Sequence, residues 1–290
     1  MPKRRPRVSI IVVTVNTPAM TRACLASVIR HTASPYELIV VNNARPQTIC
    51  RIVNVAPQAR VIQNAENLGY ATAANQGARA ARGDYLCFLN SDTLVPSGWT
   101  ERLVAVARRP GVGAVGPVTV RWGYPYPWPP RELPLNDATT GLVDRWIARQ
   151  HRARLEHVPW LPGFCLMIPR AVLRRVGVFD ERFFFGSDDV DYSLRLRLAG
   201  YRLLRLSSLF VYHQWGGSVP AGHRQRLFRQ ANRQLIAKWG FPADISVDGA
   251  PPILEAFERW RVTAAGRAAV SVARSPAARP RYRAGRCASI

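Results

Sequence analysis

Short apolar runs alternate with longer stretches of mixed polarity over the first 120 residues. Residues 8–15 form an almost unbroken apolar run, which reads as a strand buried on both faces. Pro18–His31 reads as a helix, with Thr17 at the N-cap and Pro18 at the first helical position, where a missing N–H costs nothing. Residues 36–41, Arg60–Gln63 and 85–89 read as further strands. Residues 70–82 are Ala-rich and helical, stopped by Gly83, and residues 96–109 read as another helix before a strand over 112–120. Strands alternating with helices imply an α/β fold with a mainly parallel sheet flanked by helices.

Residues 121–160 break this pattern. Trp122, Pro125, Pro127, Trp128, Pro129 and Pro130 cluster there, which predicts a loop-rich insertion. Beyond it, residues 161–168 read as a strand, Arg170–Val176 as a short helix and residues 187–199 as a helix with three aspartates in its first turn. Residues 201–206 and 209–213 look like a small antiparallel strand pair, followed by helices over 224–239 and 252–262. The expected organisation is one domain over 1–240, with halves at 1–117 and 118–240. A helical extension follows at 241–265, then an Arg/Ala/Pro-rich, disordered tail at 266–290.

Charge changes the picture more than composition does. The formal net charge is +23, carried by 41 Lys and Arg against 18 Asp and Glu. Ten of the positive charges lie in residues 1–7 and 266–290; the rest is spread through the body, as in Arg145/Arg149/Arg152/Arg154 and Arg224/Arg226/Arg229/Arg233. Such a field draws anions, whether nucleotides, phosphate-bearing glycans, anionic lipid or nucleic acid. With only two lysines, an arginine-rich compositional bias is the blander account. Cys24, Cys50, Cys87, Cys165 and Cys287 form no CxxC pair, as expected of reduced thiols in a cytoplasmic protein. The basic start followed by residues 8–15 mimics a signal peptide, but the apolar run is short and no small-residue cleavage site follows. No apolar run reaches the ~18 residues that span a bilayer. Membrane contact, if made, is therefore peripheral, at the inner face of the plasma membrane.

Three groups of residues could carry chemistry. Asn90-Ser91-Asp92 follows the apolar strand at 85–89, and in open parallel sheets ligands bind at the carboxyl ends of strands. A carboxylate there can hold Mg²⁺ or Mn²⁺ bridging a diphosphate; equally, the triplet can be an Asx turn that caps a helix starting at Pro96. Asp188-Asp189-Val190-Asp191 opens a helix, where acids meet the positive end of the dipole and Asp188 could cap. Three carboxylates in four residues exceed that need, and their repulsion would raise one pKa, as suits a general base. His213 ends an apolar run before Gln214-Trp215-Gly216-Gly217-Ser218, a place for a metal ligand or a structural histidine. Gly111-Val-Gly113-Ala-Val-Gly116 fits a dinucleotide pattern but follows a helix, is closed by Pro117 and opens no helix, so the required strand–turn–helix context is missing. No P-loop, GxSxG, HExxH or zinc-ligand cluster occurs.

Taken in order, the motifs resemble the inverting GT-A glycosyltransferases of family 2, especially their rhamnosyltransferase-like bacterial members. The likeness runs over residues 8–240. It rests on the opening run through Thr14, Val15 and Asn16; Leu38 to Asn42-Asn43; and Asn67-Leu68-Gly69-Tyr70 with Asn75-Gln76-Gly77 and Gly83-Asp84-Tyr85. It continues through Leu89-Asn90-Ser91-Asp92; Gly177-Val-Phe-Asp180-Glu181 to Phe184; Asp188-Asp189-Val190-Asp191 with Arg195; and His213. The resemblance implies a GT-A (Rossmann-like) fold, a nucleotide-sugar donor (UDP- or dTDP-linked), and a glycan or polyprenyl-linked acceptor in cell-envelope polysaccharide synthesis. It implies Mn²⁺ or Mg²⁺ held by Asp92 and His213, and Asp189 as general base. Thr14, Asn16, Asn42, Asn67, Gly69, Asn75, Asn90 and Ser91 would lie on the donor side, and Trp160, Gly163, Phe164 and Asp188 on the acceptor side.

Two positions depart from the family pattern. Asn42 stands where the family has an aspartate that accepts a hydrogen bond from the base; Asn keeps an acceptor but loses the charge. Val15 replaces a tyrosine. Both bear on nucleotide identity rather than on catalysis, and they also fit a second reading: a non-catalytic nucleotide- or glycan-binding scaffold. A nucleotidyltransferase would need a glycine-rich, lysine-bearing loop after the first strand, which residues 16–20 are not. An arginine-driven nucleic-acid binder lacks any recognition motif here, so no specific nucleic acid is expected.

Overall fold

The computed structural model describes residues 7–44, 52, 54–120, 136–151, 154–214, 219 and 221–263. The expected strand and helix alternation is present. Strands β1 (Val8–Thr14), β2 (Tyr36–Asn42), β3 (Arg60–Gln63) and β4 (Tyr85–Asn90) are joined through helices α1 (Pro18–His31) and α2 (Tyr70–Ala80). They continue into the two-residue strand β5 (Thr93–Leu94), helix α3 (Trp99–Ala107) and strand β6 (Val112–Val118). Helix α4 (Asp137–Gln150) and strand β7 (Leu155–His157) follow, then β8 (Cys165–Pro169), α5 (Arg170–Val176) and α6 (Asp188–Leu198). The chain closes with β9 (Arg202–Phe210), β10 (Tyr212–His213), α7 (Ala221–Trp239) and α8 (Pro251–Arg261).

The main sheet has the order β3-β2-β1-β4-β8-β6-β9-β7. Strands β1, β2, β3 and β4 pair in parallel, as do β6 and β9, whereas β8 runs antiparallel between β4 and β6. Burial on both faces explains why the strands read as continuous apolar runs. Val8, Ile10 and Val12 of β1 face one core with Cys24, Leu25 and Val28 of α1 and Trp99 of α3. The alternating Ile11 and Val13 face the other, with Ala71, Ala74 and Ala78 of α2. Small residues let α2 approach closely: a Cβ on Gly77 would lie 2.4 Å from Ile11 Cγ2.

Tertiary pairing revises several expected elements. The insertion contains a helix, α4, capped by a reciprocal box in which Asn136 accepts from Thr139 N at 3.0 Å and Thr139 Oγ1 accepts from Asn136 N at 2.8 Å. The Trp/Pro cluster at 122–130 lies outside the described residues, as do Cys50, Cys287, Trp215–Ser218 and the tail. Residues 201–206 and 209–213 do not pair with each other. Residues 202–210 form one strand against β6, and the small antiparallel sheet is β10 against β5, joining His213 to Thr93 and Tyr212 to Leu94. Thr17 does sit at the N-cap of α1, but its side chain makes no cap bond. The Gly111–Gly116 pattern lies in and just before β6, where a Cβ on Gly113 would meet Tyr201 Cβ at 2.6 Å, so that glycine serves packing. Pro117 is tolerated inside the sheet because the β6–β9 register shifts beside it. Cys24, Cys87 and Cys165 are buried free thiols.

Candidate active site

Neighbouring strands β2 and β4 lie on opposite sides of β1, so the strand order reverses at the carboxyl ends of β1 and β4, where ligands bind in open α/β sheets. A cleft of about 710 Å³ opens there. Val13, Val15 and Thr17 border it from the β1 side and Asn90, Ser91 and Asp92 from the β4 side. Because β8 runs antiparallel beside β4, the segment entering β8 reaches the same end of the sheet, and Asn90 N donates to Phe164 O at 2.8 Å. Trp160, Gly163 and Phe164 thereby line the cleft, together with the first turn of α6.

Asp92 does not cap a helix. Thr93 and Leu94 leave it as a strand, and α3 begins only at Trp99, after Gly98 in the left-handed region. The β5–β10 bridge instead sets His213 opposite Thr93, and Gln214 N donates to Asp92 O at 3.0 Å. His213 Nε2 comes within 3.2 Å of both Asp92 Oδ1 and Asn90 Nδ2. The imidazole is 8% exposed and stacks on Phe164 with ring centroids 5.1 Å apart, which fixes its direction. Nε2 accepts from the Asn90 amide in one tautomer and donates to the Asp92 carboxylate in the other. With Nε2 deprotonated, the imidazole nitrogen and the carboxylate oxygen converge as two ligands of the kind a Mn²⁺ or Mg²⁺ ion takes. Among the described residues no group of three or more His, Cys, Asp or Glu converges as a complete metal shell. These two side chains therefore fit a cation whose remaining ligands come from elsewhere.

The three aspartates of α6 separate by role. Asp191 is fully buried and accepts from Arg195 Nε at 2.8 Å, Lys238 Nζ at 2.5 Å and Trp239 Nε1 at 3.0 Å. It is a packing anchor between α6 and α7, and Arg195, which also donates to Val176 O and Val178 O, belongs to that anchor. Asp189 reaches the cleft, and its Oδ2 accepts from Gly163 N at 2.9 Å and its Oδ1 from Val190 N at 2.8 Å. Burial raises its pKa above the usual carboxylate value, opposed by those two N–H groups and by the Trp160 indole. Asp188 is held higher still, by burial and by the adjacent Asp189 charge. Ser187 occupies the N-cap without a cap bond; it and Asn16 are the positive-φ residues other than glycine among the described ones, at 63° and 51°. Both sit in turns at the cleft end of the sheet, where stored strain is a recurrent feature of functional sites.

A carboxylate whose folded pKa is raised contributes stability below its ordinary value of 3.8 that is lost as pH rises through the folded pKa. Asp188→Asn is accordingly expected to raise the melting temperature at pH 8 and to change it little at pH 4. A thermal-unfolding series in buffers across that range measures it. An equal shift at both ends would mean that Asp188 is not a destabilising buried charge.

The other candidate residues are distributed unevenly. Asn67 lines the cleft. Its Oδ1 accepts from Asn43 Nδ2 at 2.8 Å and Gly69 N at 3.0 Å, while Asn64 donates to Asn43 Oδ1 at 3.0 Å. The buried Asn43 thus shapes this loop, a role its sequence position gave no reason to separate from that of Asn42. Gly69, at φ 83°, lets Phe184 approach so closely that a Cβ would lie 2.8 Å from Phe184 O. Thr14, Asn16, Asn42, Gly69 and Asn75 do not border the cleft. Thr14 bonds Thr21, Asn42 donates to Gln63 at 2.8 Å, and Asn75 bonds Phe179 and Glu181. Conversely, Tyr70, Phe184, Phe185, Arg224, Phe228 and Asn232 line the cleft without having been singled out as site residues. Arg224, Phe228 and Asn232 are spaced four apart on α7, a helical face legible in sequence, but nothing local says what it faces.

Known proteins resemble this chain in sequence and in fold. The family model described as glycosyl transferase family 2 matches residues 9–177. An N-acetylglucosaminyl-diphospho-decaprenol L-rhamnosyltransferase of Mycobacterium tuberculosis is 31% identical over 228 residues, covering 69% of this chain and 74% of that protein. The O-antigen biosynthesis protein RfbC of Myxococcus xanthus is 28% identical over 240 residues, 74% of this chain but only 18% of that longer protein. Among solved structures, a mannosyltransferase of Pyrobaculum calidifontis in complex with GDP-Man and Mn²⁺ superposes with a TM-score of 0.59 at 21% identity, over 94% of this chain and 74% of the other, which speaks to the GT-A fold alone. With the family match spanning more than half of its residues, this chain belongs to glycosyl transferase family 2.

Proposed function

We propose that the protein is an inverting glycosyltransferase that moves one sugar from a nucleotide-diphosphate sugar to a glycan or lipid-linked acceptor of the cell envelope. The observation that carries this reading is that one cleft holds a backbone-anchored carboxylate, Asp189, together with the Asp92–His213–Asn90 group at the carboxyl end of β4. The names of the Mycobacterium and Myxococcus relatives, a diphospho-decaprenol rhamnosyltransferase and an O-antigen biosynthesis protein, support the acceptor class.

In this reading the donor diphosphate lies beside Asn90, Ser91 and Asp92, and Asn67 closes the base side. Asp189 takes the proton of an acceptor hydroxyl as that oxygen bonds to the anomeric carbon. The bond from that carbon to the diphosphate oxygen breaks on the opposite face, and the nucleoside diphosphate leaves with the electron pair. The two backbone N–H groups on Asp189 hold both carboxylate oxygens, which limits its rotation, while burial makes it more basic than an ordinary carboxylate. Asp92 and His213 would hold a divalent cation, which supplies electrostatic stabilisation of charge on the leaving diphosphate. Trp160 and Phe164 offer aromatic faces to the acceptor.

Thermal unfolding with UDP, dTDP, GDP and CDP, each with Mn²⁺, Mg²⁺ or EDTA, tests the donor half, because a ligand of the native state alone raises apparent stability. A metal-dependent rise selective for one nucleotide is expected; ligand at 100 times its Kd adds about 2.7 kcal/mol. No rise with any nucleotide would favour the scaffold reading.

A further inference from the structure

Helix α7 carries Arg224, Arg226, Arg229, Arg233 and Lys238 and no acidic residue in 19 positions. Its two sides do different things, and the inner side packs in its C-terminal half and lines the cleft in its N-terminal half. Ala231, Leu235 and Ile236 pack into a core with Ile253 and Phe257 of α8 and Val190 and Leu194 of α6. Arg224, Phe228, Arg229 and Asn232 border the cleft. Arg226, Gln230, Arg233 and Ala237, spaced i, i+4, i+7, i+11, are exposed on the outer side. Arg229 is engaged by Asp248 at 2.8 Å, whereas among the described residues neither Arg226 nor Arg233 is paired with a carboxylate. The two arginines stand seven residues apart, about 10 Å along the helix. After α8 the chain continues into residues 266–290, with six arginines and no acid.

We propose that this outward face of α7 docks on an anionic lipid surface, with Arg226 and Arg233 as its contacts to headgroup phosphates. Charge complementarity carries the argument. Paired surface arginines would be neutralised by their own protein, whereas an acid-free helix face presents its charge to an external partner. Position adds to it, because the same helix walls the cleft. The cleft it walls is also lined by Phe184, which is 46% exposed, and by Arg229, i+3 from Arg226 and i−4 from Arg233. Arg226, Gln230, Arg233 and Gln234 offer no ring for stacking on bases, which favours lipid phosphate over single-stranded nucleic acid. This inference goes beyond the transferase reading and does not rest on it, since headgroup binding requires neither donor nor acceptor.

The test is flotation of the full chain with vesicles of phosphatidylcholine alone and of phosphatidylcholine mixed with phosphatidylglycerol, neither containing an acceptor. Binding only to the mixed vesicles, weakened by salt, is expected. Arg226→Gln/Arg233→Gln should bind them about 30-fold more weakly, roughly fivefold for each charge removed. It should keep the wild-type melting temperature, so that loss of binding is not loss of fold. Equal flotation with both vesicle types, none with either, or unchanged binding of the double variant would overturn the proposal. So would a variant that loses affinity for a homopolymer RNA while still floating with the vesicles. Nucleotide-induced stabilisation, measured on the same preparations, reports separately on the transferase reading.

Discussion

Asp189→Asn is expected to lower kcat by about 10²- to 10⁴-fold, the range contributed by a positioned general base. Donor binding should change little, because in the proposed reading Asp189 meets the acceptor hydroxyl rather than the nucleotide. The loss should therefore appear in kcat and kcat/KM together, the mark of an interaction made in the transition state. The pH profile adds a second readout. A base must be ionised to act, and burial raises the Asp189 pKa above the ordinary 3.8. The wild-type rate should thus fall as pH drops through a value above the usual carboxylate range, and that acid limb should vanish in the residual activity of the variant. The amide also costs a hydrogen bond, since both carboxylate oxygens accept from backbone N–H groups and an NH₂ cannot. Monitoring the near-wild-type melting temperature separates chemistry from folding. Full turnover by Asp189→Asn would remove the residue from the base role.

The second large effect is expected at the other side of the cleft. Asp92→Ala should abolish metal-dependent stabilisation by nucleotide and lower kcat/KM by roughly 10³-fold, because a cation contributes several kcal/mol to charge stabilisation and each 1.36 kcal/mol is a factor of ten. His213→Ala should raise the Mn²⁺ concentration needed for activity by at least about 10- to 100-fold, the cost of losing even an outer-shell partner. The stacking of His213 on Phe164 allows a purely structural role for the histidine. The metal titration distinguishes the two: a structural histidine lowers activity and stability alike at every Mn²⁺ concentration, whereas a ligand is rescued by excess metal. Unchanged metal dependence in both variants would move the cation site elsewhere.

Much of this protein was determined locally. The apolar runs of β1, β2 and β4 and the intervening helices follow from hydrophobic periodicity, Pro18 at a helix start and the small residues of α2. The order of motifs then led to the family, and Asn90, Asp92, Asp189 and His213 were all legible as chemistry-bearing residues. What sequence could not separate were alternatives that differ only in a long-range partner. Asp92 could cap a helix or stand at the strand end as a metal-binding carboxylate, and a two-residue bridge between β5 and β10, more than a hundred residues apart, sets it beside His213 instead of at a helix start. The three acids of α6 are neighbours in sequence, yet one turn of helix sends Asp191 to Lys238 and Trp239 in a buried anchor while Asp189 meets Gly163 in the cleft. The residues of α7 that wall the cleft have no local signature, because a helix states which positions share a face but not what that face meets. Strand pairing and burial are set by contacts distant in sequence, and those contacts gathered Asn90, Asp92, Asp189 and His213 around one cleft.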